Sequence, residues 1–173
     1  MQRTCSDYQV KRLIVIMGVA ASGKSTIASR LSEAEGWKYL EGDEFHPEAN
    51  VEKMAGGTPL TNKDREAWID AMALAVVENK SDPIILSCSA LNAFVRNRLQ
   101  DGCDRAVSWV YLKVPREELI RRIEERENHF MKRAMLDSQL STLEPPEDCL
   151  EVDADHSIEE TINTIKSGLT LQS

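Results

Sequence analysis

The chain reads as an α/β protein: three α/β/α layers, built on a parallel sheet with helices on both faces, plus a helical lid. Three observations predict this. Short apolar runs alternate with helical patterns along the chain, the signature of parallel strands joined by crossover helices. The first run opens onto Gly18-Val19-Ala20-Ala21-Ser22-Gly23-Lys24-Ser25, which fits G-x-x-x-x-G-K-[ST], the phosphate-binding P-loop. Late in the chain, Arg121, Arg122, Arg126, Lys132 and Arg133 gather around Asn128-His129-Phe130 between two helical patterns.

The elements follow in order. Residues 13–17, Leu-Ile-Val-Ile-Met, form a buried-type strand, and residues 26–31 continue the loop as a helix. Residues 37–40 are a short strand ending in Glu41-Gly42-Asp43, followed by a polar stretch from 44 to 62. Thr61 then reads as a helix cap, with Asp64 complementing the dipole. Trp68, Ile69, Met72, Ala73 and Val76 fall on one face of that helix. Strands are expected at 83–87, 106–112 and 149–153, and helices at 91–100, 115–126, 130–140 and 157–166. Pro115 suits a first helical turn. The ligand of such a sheet sits at the carboxyl ends of its strands. That places the P-loop, Asp43, the segment after Ser87 and the region after Leu112 on one rim.

The chain of 173 residues reads as one domain, with residues 1–10 as a loose polar leader. A net charge of −8 argues against a general nucleic-acid binder but not against a small anionic substrate. Cys5, Cys88, Cys103 and Cys149 show no C-x-x-C spacing, and the three histidines are scattered, so no zinc site is expected. Free thiols suit a reducing cytoplasm. No segment is long and apolar enough to predict a membrane span.

The P-loop assigns nucleotide binding to Gly18, Val19, Ala20, Ala21, Ser22, Gly23, Lys24, Ser25 and Thr26. Backbone N–H groups and a helix N-terminus face the phosphates, Lys24 reaches the β- and γ-phosphates, and the Ser25 hydroxyl holds Mg²⁺. Asp43, after the second strand, could orient a substrate hydroxyl toward the γ-phosphate, or be a solvated turn residue. His46, Lys53 and Arg65 could grip a small carboxylate. Equally, Lys53 could be a surface lysine, Arg65 a partner of a nearby acid, and His46 structural. Residues 126–142 read as a lid bringing an arginine, Arg126 for preference, over the phosphates. Glu124, Glu125 and Glu127 interleave there, so an ordinary charged helix is the competing reading.

These residues resemble the gluconate kinases, a small P-loop carbohydrate-kinase family related in fold to shikimate kinase. The likeness runs through Glu41-Gly42-Asp43 with His46-Pro47, Asn50 to Met54, Gly57-x-Pro59-Leu60, and Asp64-Arg65-x-x-Trp68. It continues through Cys88-Ser89-Ala90-Leu91 with Arg96, Tyr111-Leu112-Lys113, and Arg126-x-x-His129-Phe130 with Lys132 and Gln139. It covers residues 12–155. The resemblance implies ATP-dependent phosphorylation of D-gluconate to 6-phosphogluconate, with Mg²⁺ and commonly a homodimer. It implies that Asp43 orients the 6-hydroxyl, that His46, Lys53, Arg65, Arg96 and Gln139 surround the sugar acid, and that Arg126 is the lid arginine. The chain departs from the family at Asn92-Ala93, where lysine is usual, and at Asn128, where glycine is usual. These departures leave room for two other readings, a same-fold kinase of another hydroxy acid such as shikimate and a nucleotide-binding regulator without turnover.

Overall fold

The structure is a computed structural model, which describes residues 10–125 and 129–171. Its strands are β1 (Arg12–Met17), β2 (Lys38–Glu41), β3 (Ile84–Ser87), β4 (Ala106–Lys113) and β5 (Leu150–Asp153). Its α-helices are α1 (Lys24–Glu35), α2 (Glu48–Ala55), α3 (Asn62–Glu78), α4 (Ala93–Gly102), α5 (Arg116–Glu124), α6 (His129–Thr142) and α7 (Ile158–Leu171). A 3₁₀ turn, Gly42–Phe45, follows β2. All strand pairs are parallel and the order is β2-β3-β1-β4-β5. The chain runs first to one side of β1 and then to the other, so a ligand crevice opens at the carboxyl end of β1.

Alternation along the strands divides the core. Leu13, Val15 and Met17 face one layer with Ile84 and Leu86, against Trp68, Ile69 and Met72 of α3 and Leu99 of α4. Ile14 and Ile16 face the other with Ile85 and Val110, against Ile27 and Leu31 of α1 and Ile165 of α7. A period of two in a strand buried on both faces gives this pattern. A third, smaller cluster joins Val19 and Leu91 to Leu119 and Ile123 of α5 and Leu136 of α6.

The predicted strands and helices are present, with shifted ends. The predicted Thr61 cap of α3 forms, and Asp64, expected only to complement the dipole, completes a capping box: Thr61 Oγ1 accepts from the Asp64 N–H, and Asp64 Oδ2 accepts from the Thr61 N–H at 2.7 Å. Pro115 sits at the N-cap of α5 instead of inside its first turn. The stretch 44–62 holds a helix, α2, that polarity concealed. Asn50 is its one buried residue, satisfied by bonding across to the Asp64 carbonyl at 2.9 Å. Of the leader expected at residues 1–10, residues 1–9 lie outside the described residues, as does the lid bend at 126–128. Among the described residues no helix is long and apolar enough to cross a membrane.

One close approach sets the position of the turn after β2. A Cβ built on Gly42 would lie 2.3 Å from the Ser87 carbonyl oxygen and 3.2 Å from Met72 Sδ. Only glycine lets the chain pass here. Gly42→Ala is therefore expected to cost about 1–3 kcal/mol of stability, the range for overpacking a rigid site, read as a lower urea midpoint. An unchanged midpoint would show that the turn can shift aside.

Candidate active site

The phosphate loop leaves β1 and enters α1 with the geometry an anion needs. Gly23, the N-cap of α1, has φ 95°, a left-handed conformation that a side chain would strain. No side chain caps α1 and its first turn has no acid, so its N-terminal N–H groups and dipole are left for a ligand. Lys24 Nζ donates to the Val19 carbonyl at 2.9 Å, which lays the lysine along the loop.

Beside it sits a carboxylate that sequence reading passed over. Glu41, the last residue of β2, accepts from Ser87 Oγ at 2.6 Å and from the Tyr39 hydroxyl at 2.5 Å, and also from the Ser25 hydroxyl. Burial alone would raise its pKa. The hydrogen bonds from Ser25, Ser87 and Tyr39 and the Asp43 N–H outweigh that and hold it below the usual carboxylate range. The phenol of Tyr39 is pushed up to about 12 by burial and by Glu41. An anionic carboxylate thus lies against the P-loop serine. The signal for it was present: an acid at a strand's carboxyl end, two residues before Asp43.

Asp43 is exposed on the 3₁₀ turn. The turn is held from below, because Trp68 Nε1–H donates to the Gly42 carbonyl at 2.8 Å. His46 stacks on the same Trp68, ring centroids 4.3 Å apart and planes within 11°. Burial and the nearby Arg65 charge lower the His46 pKa, while Asp43 pulls it up; the net shift is downward. Asp43, His46 and Arg65 therefore share one patch beside the phosphate loop.

The other cations are more committed than their spacing suggested. Lys53 Nζ pairs with Asp64 Oδ2 at 2.6 Å, tying α2 to the capping box of α3. That bond, with those from Thr61, holds the Asp64 carboxyl far below its usual range. Arg65 Nη1 donates to Asn62 Oδ1 at 3.0 Å, not to an acid, and Asn92 Nδ2 meets the same oxygen at 3.2 Å. Arg96 is 8% exposed, and its Nη1 donates to the Ala90 carbonyl at 2.9 Å. It braces the loop after β3, where Ala90 has φ 46°, and its described contact is to backbone on the inner side of the rim. Gln139 lies at the phosphate loop: the Ala20 N–H donates to its Oε1 at 2.6 Å. Arg126 is outside the described residues, and of the lid arginines Arg121 and Arg133 pair with Glu118 and Glu124.

Arg122, one of the basic cluster that the sequence placed at the lid, reaches the phosphate loop itself. Its Nη2 donates to the Ala154 carbonyl at 2.9 Å and its Nη1 to the Ala21 carbonyl at 3.4 Å, bridging the phosphate loop to the segment after β5. A cavity of about 200 Å³ opens there, lined by Ser22, Gly23, Thr26, Arg122, Ala154 and His156. Its position at the start of α1 suits the nucleoside end of a ligand whose phosphates lie on the loop. A larger depression of about 480 Å³, around the Arg98–Asp70 pair on α4 and α3, belongs to different elements and lacks any phosphate-loop residue.

Fold and site together define a P-loop nucleotide-binding domain, and a family model described as an AAA domain matches residues 13–146. The Gluconobacter oxydans gluconokinase is 42% identical over 139 residues, covering 79% of this chain and 78% of that protein. The thermoresistant gluconokinase of Escherichia coli is 36% identical over 178 residues, covering 97% and 99%. A crystal structure of a gluconokinase from Sinorhizobium meliloti superposes with a TM-score of 0.81 at 33% identity, over 95% of this chain and 98% of that one. The chain belongs to the gluconokinase family. Shikimate kinase from Aquifex aeolicus, at 19% identity and a TM-score of 0.57, shares the fold.

The stacked histidine gives a pH test. The folded pKa of His46 lies below its unfolded value of about 6.5, so the unfolded chain takes up the proton first as pH falls. Its contribution to stability is full above that value and is lost as pH falls through the folded pKa. The imidazole should titrate by NMR with a midpoint below about 6.5, and a midpoint above it would reverse the sign.

Proposed function

We propose that the protein transfers the γ-phosphoryl group of ATP to the terminal hydroxyl of D-gluconate, giving 6-phospho-D-gluconate and ADP. The observation that carries this reading is the placement of Asp43. It is an exposed carboxylate on a turn fixed by Gly42 and Trp68, and Glu41 of the same turn reaches the P-loop serine. The names of the similar proteins supply the acceptor.

In this reading Asp43 accepts a hydrogen bond from the acceptor hydroxyl, aims its oxygen at the phosphoryl group, and takes the proton as the bond to phosphorus forms. Lys24 and the loop N–H groups balance the charge that builds on the phosphoryl oxygens. His46 and Arg65 bind the acid end of the sugar, with Lys53 within the same patch through Asp64. Arg65 is suited to a carboxylate because its planar fork can donate twice. His46, kept neutral by its burial, offers a hydrogen bond without adding a second cation there. Arg126 is proposed as the lid arginine that adds positive charge and excludes water.

The donor set also fits Mg²⁺, a hard cation that takes hydroxyl, carboxylate and phosphate oxygens. Ser25 would hold it, with Glu41 alongside, and it would neutralise charge on the nucleotide phosphates. A homodimer and a cytoplasmic setting are proposed with this function, and gel filtration tests the first.

The enzyme should release ADP from Mg²⁺–ATP only with an acceptor, gluconate above other aldonates and shikimate. Lys24→Ala should remove most activity. Asp43→Asn should lower kcat by about 10²–10⁴-fold, the range for losing a positioned base, while ATP binding stays within a few-fold. Near-normal turnover in Asp43→Asn would remove Asp43 from the reaction, and a strong preference for another acid would replace gluconate.

A further inference from the structure

Gln139 stands out because its contact departs from what its place in the sequence suggested. It lies on α6, 119 residues from Ala20, and the Ala20 N–H donates to its Oε1 at 2.6 Å. A backbone N–H can only donate, so this bond fixes which end of the carboxamide is oxygen. The Nε2 end is then held at the phosphate loop too. It carries two N–H donors, and among the described residues neither has a hydrogen-bond partner. Unspent donors on a half-buried amide call for acceptors.

The peptide unit involved is informative. Lys24 Nζ sits on the Val19 carbonyl, and Gln139 sits on the Ala20 N–H. These are the two polar ends of one peptide group, so the P-loop lysine and the glutamine bracket it. The helix that carries Gln139 is firmly seated. Leu136 is fully buried against Val19 and Leu119, Leu140 packs on the same cluster, and Asp137 pairs with Arg116 at 2.8 Å. A donor on such a support keeps its aim at little cost in ordering.

We propose that Gln139 donates through Nε2 to the terminal phosphoryl group of the bound nucleoside triphosphate, oriented for this by the Ala20 N–H. It is a nucleotide residue on α6, not a sugar-acid residue. The inference rests on the kinase reading above. It makes the γ-phosphoryl the feature Gln139 senses, so the residue separates triphosphate from diphosphate.

Two variants test it. Gln139→Glu keeps an oxygen for the Ala20 N–H but has no N–H and carries negative charge. Gln139→Leu keeps neither polar end. Calorimetry with Mg²⁺–ADP and with Mg²⁺–β,γ-imido-ATP reads the difference, and ADP binding also reports that the loop is intact. Both variants are expected to bind ADP within a few-fold of wild type and the imido analogue about tenfold or more weaker, the size of one charge-assisted hydrogen bond. Wild-type behaviour in Gln139→Glu would overturn the proposal, since the residue would then only tie α6 to the loop. Equal weakening of both nucleotides would overturn it too, since that marks a general effect on the loop. The kinase reading fails separately: it falls if wild type binds both nucleotides yet releases no ADP with any acceptor, whatever Gln139 does.

Discussion

The site depends on how close the chain after β2 comes to the end of β3. Gly42 passes so near the Ser87 carbonyl that no side chain fits, and Trp68 grips the Gly42 carbonyl from α3. Everything acidic at the rim is placed by that approach. Glu41 is turned toward Ser25 and Ser87, and Asp43 is left outward on the next residue but one. Moving the turn by the radius of a methyl group would separate the two carboxylates from the phosphate loop together. The rigidity comes from a buried tryptophan and the paired ends of β2 and β3, not from the polar residues that do the chemistry.

Two carboxylates so near each other take different roles because their surroundings differ. Glu41 receives three hydroxyl hydrogen bonds and is committed to the anionic form. Asp43 is exposed and, among the described residues, has no comparable set of donors, so it can meet a hydroxyl from outside. The same division runs through the cations. Lys53, Arg96 and Arg122 bond to acids or carbonyls of the protein, and Arg65 keeps only a neutral amide oxygen as its described partner.

Local signals were legible in the sequence and distant ones were not. The P-loop, the helix cap at Thr61, and the core face of α3 are written within a few residues, and each appears as read. Helix α2 escaped because its stability comes from Asn50 and Lys53 reaching across to Asp64, not from an apolar stripe. Arg96 came only from the resemblance, and spacing carries no information about the burial it shows. Arg122 and Gln139 touch the phosphate loop from more than a hundred residues away, and the basic cluster and the resemblance that singled them out carry no information about those partners. Glu41 could have been found, since it shares with Asp43 the strand-end position on which that residue was chosen.

The phosphate loop has a second face. Val19 packs against Leu119, Ile123, Leu136 and Leu140, the third core cluster, and Ala21 touches the same cluster while also lining the cavity at the start of α1. The wildcard positions of the P-loop pattern are therefore not free in this chain. The size at 19 is set by α5 and α6, so a larger or smaller residue there is felt as a change in helix seating before it is felt by any phosphate. The variable letters of the motif record which neighbours a particular P-loop protein has built against its loop, and the fixed letters record only the anion.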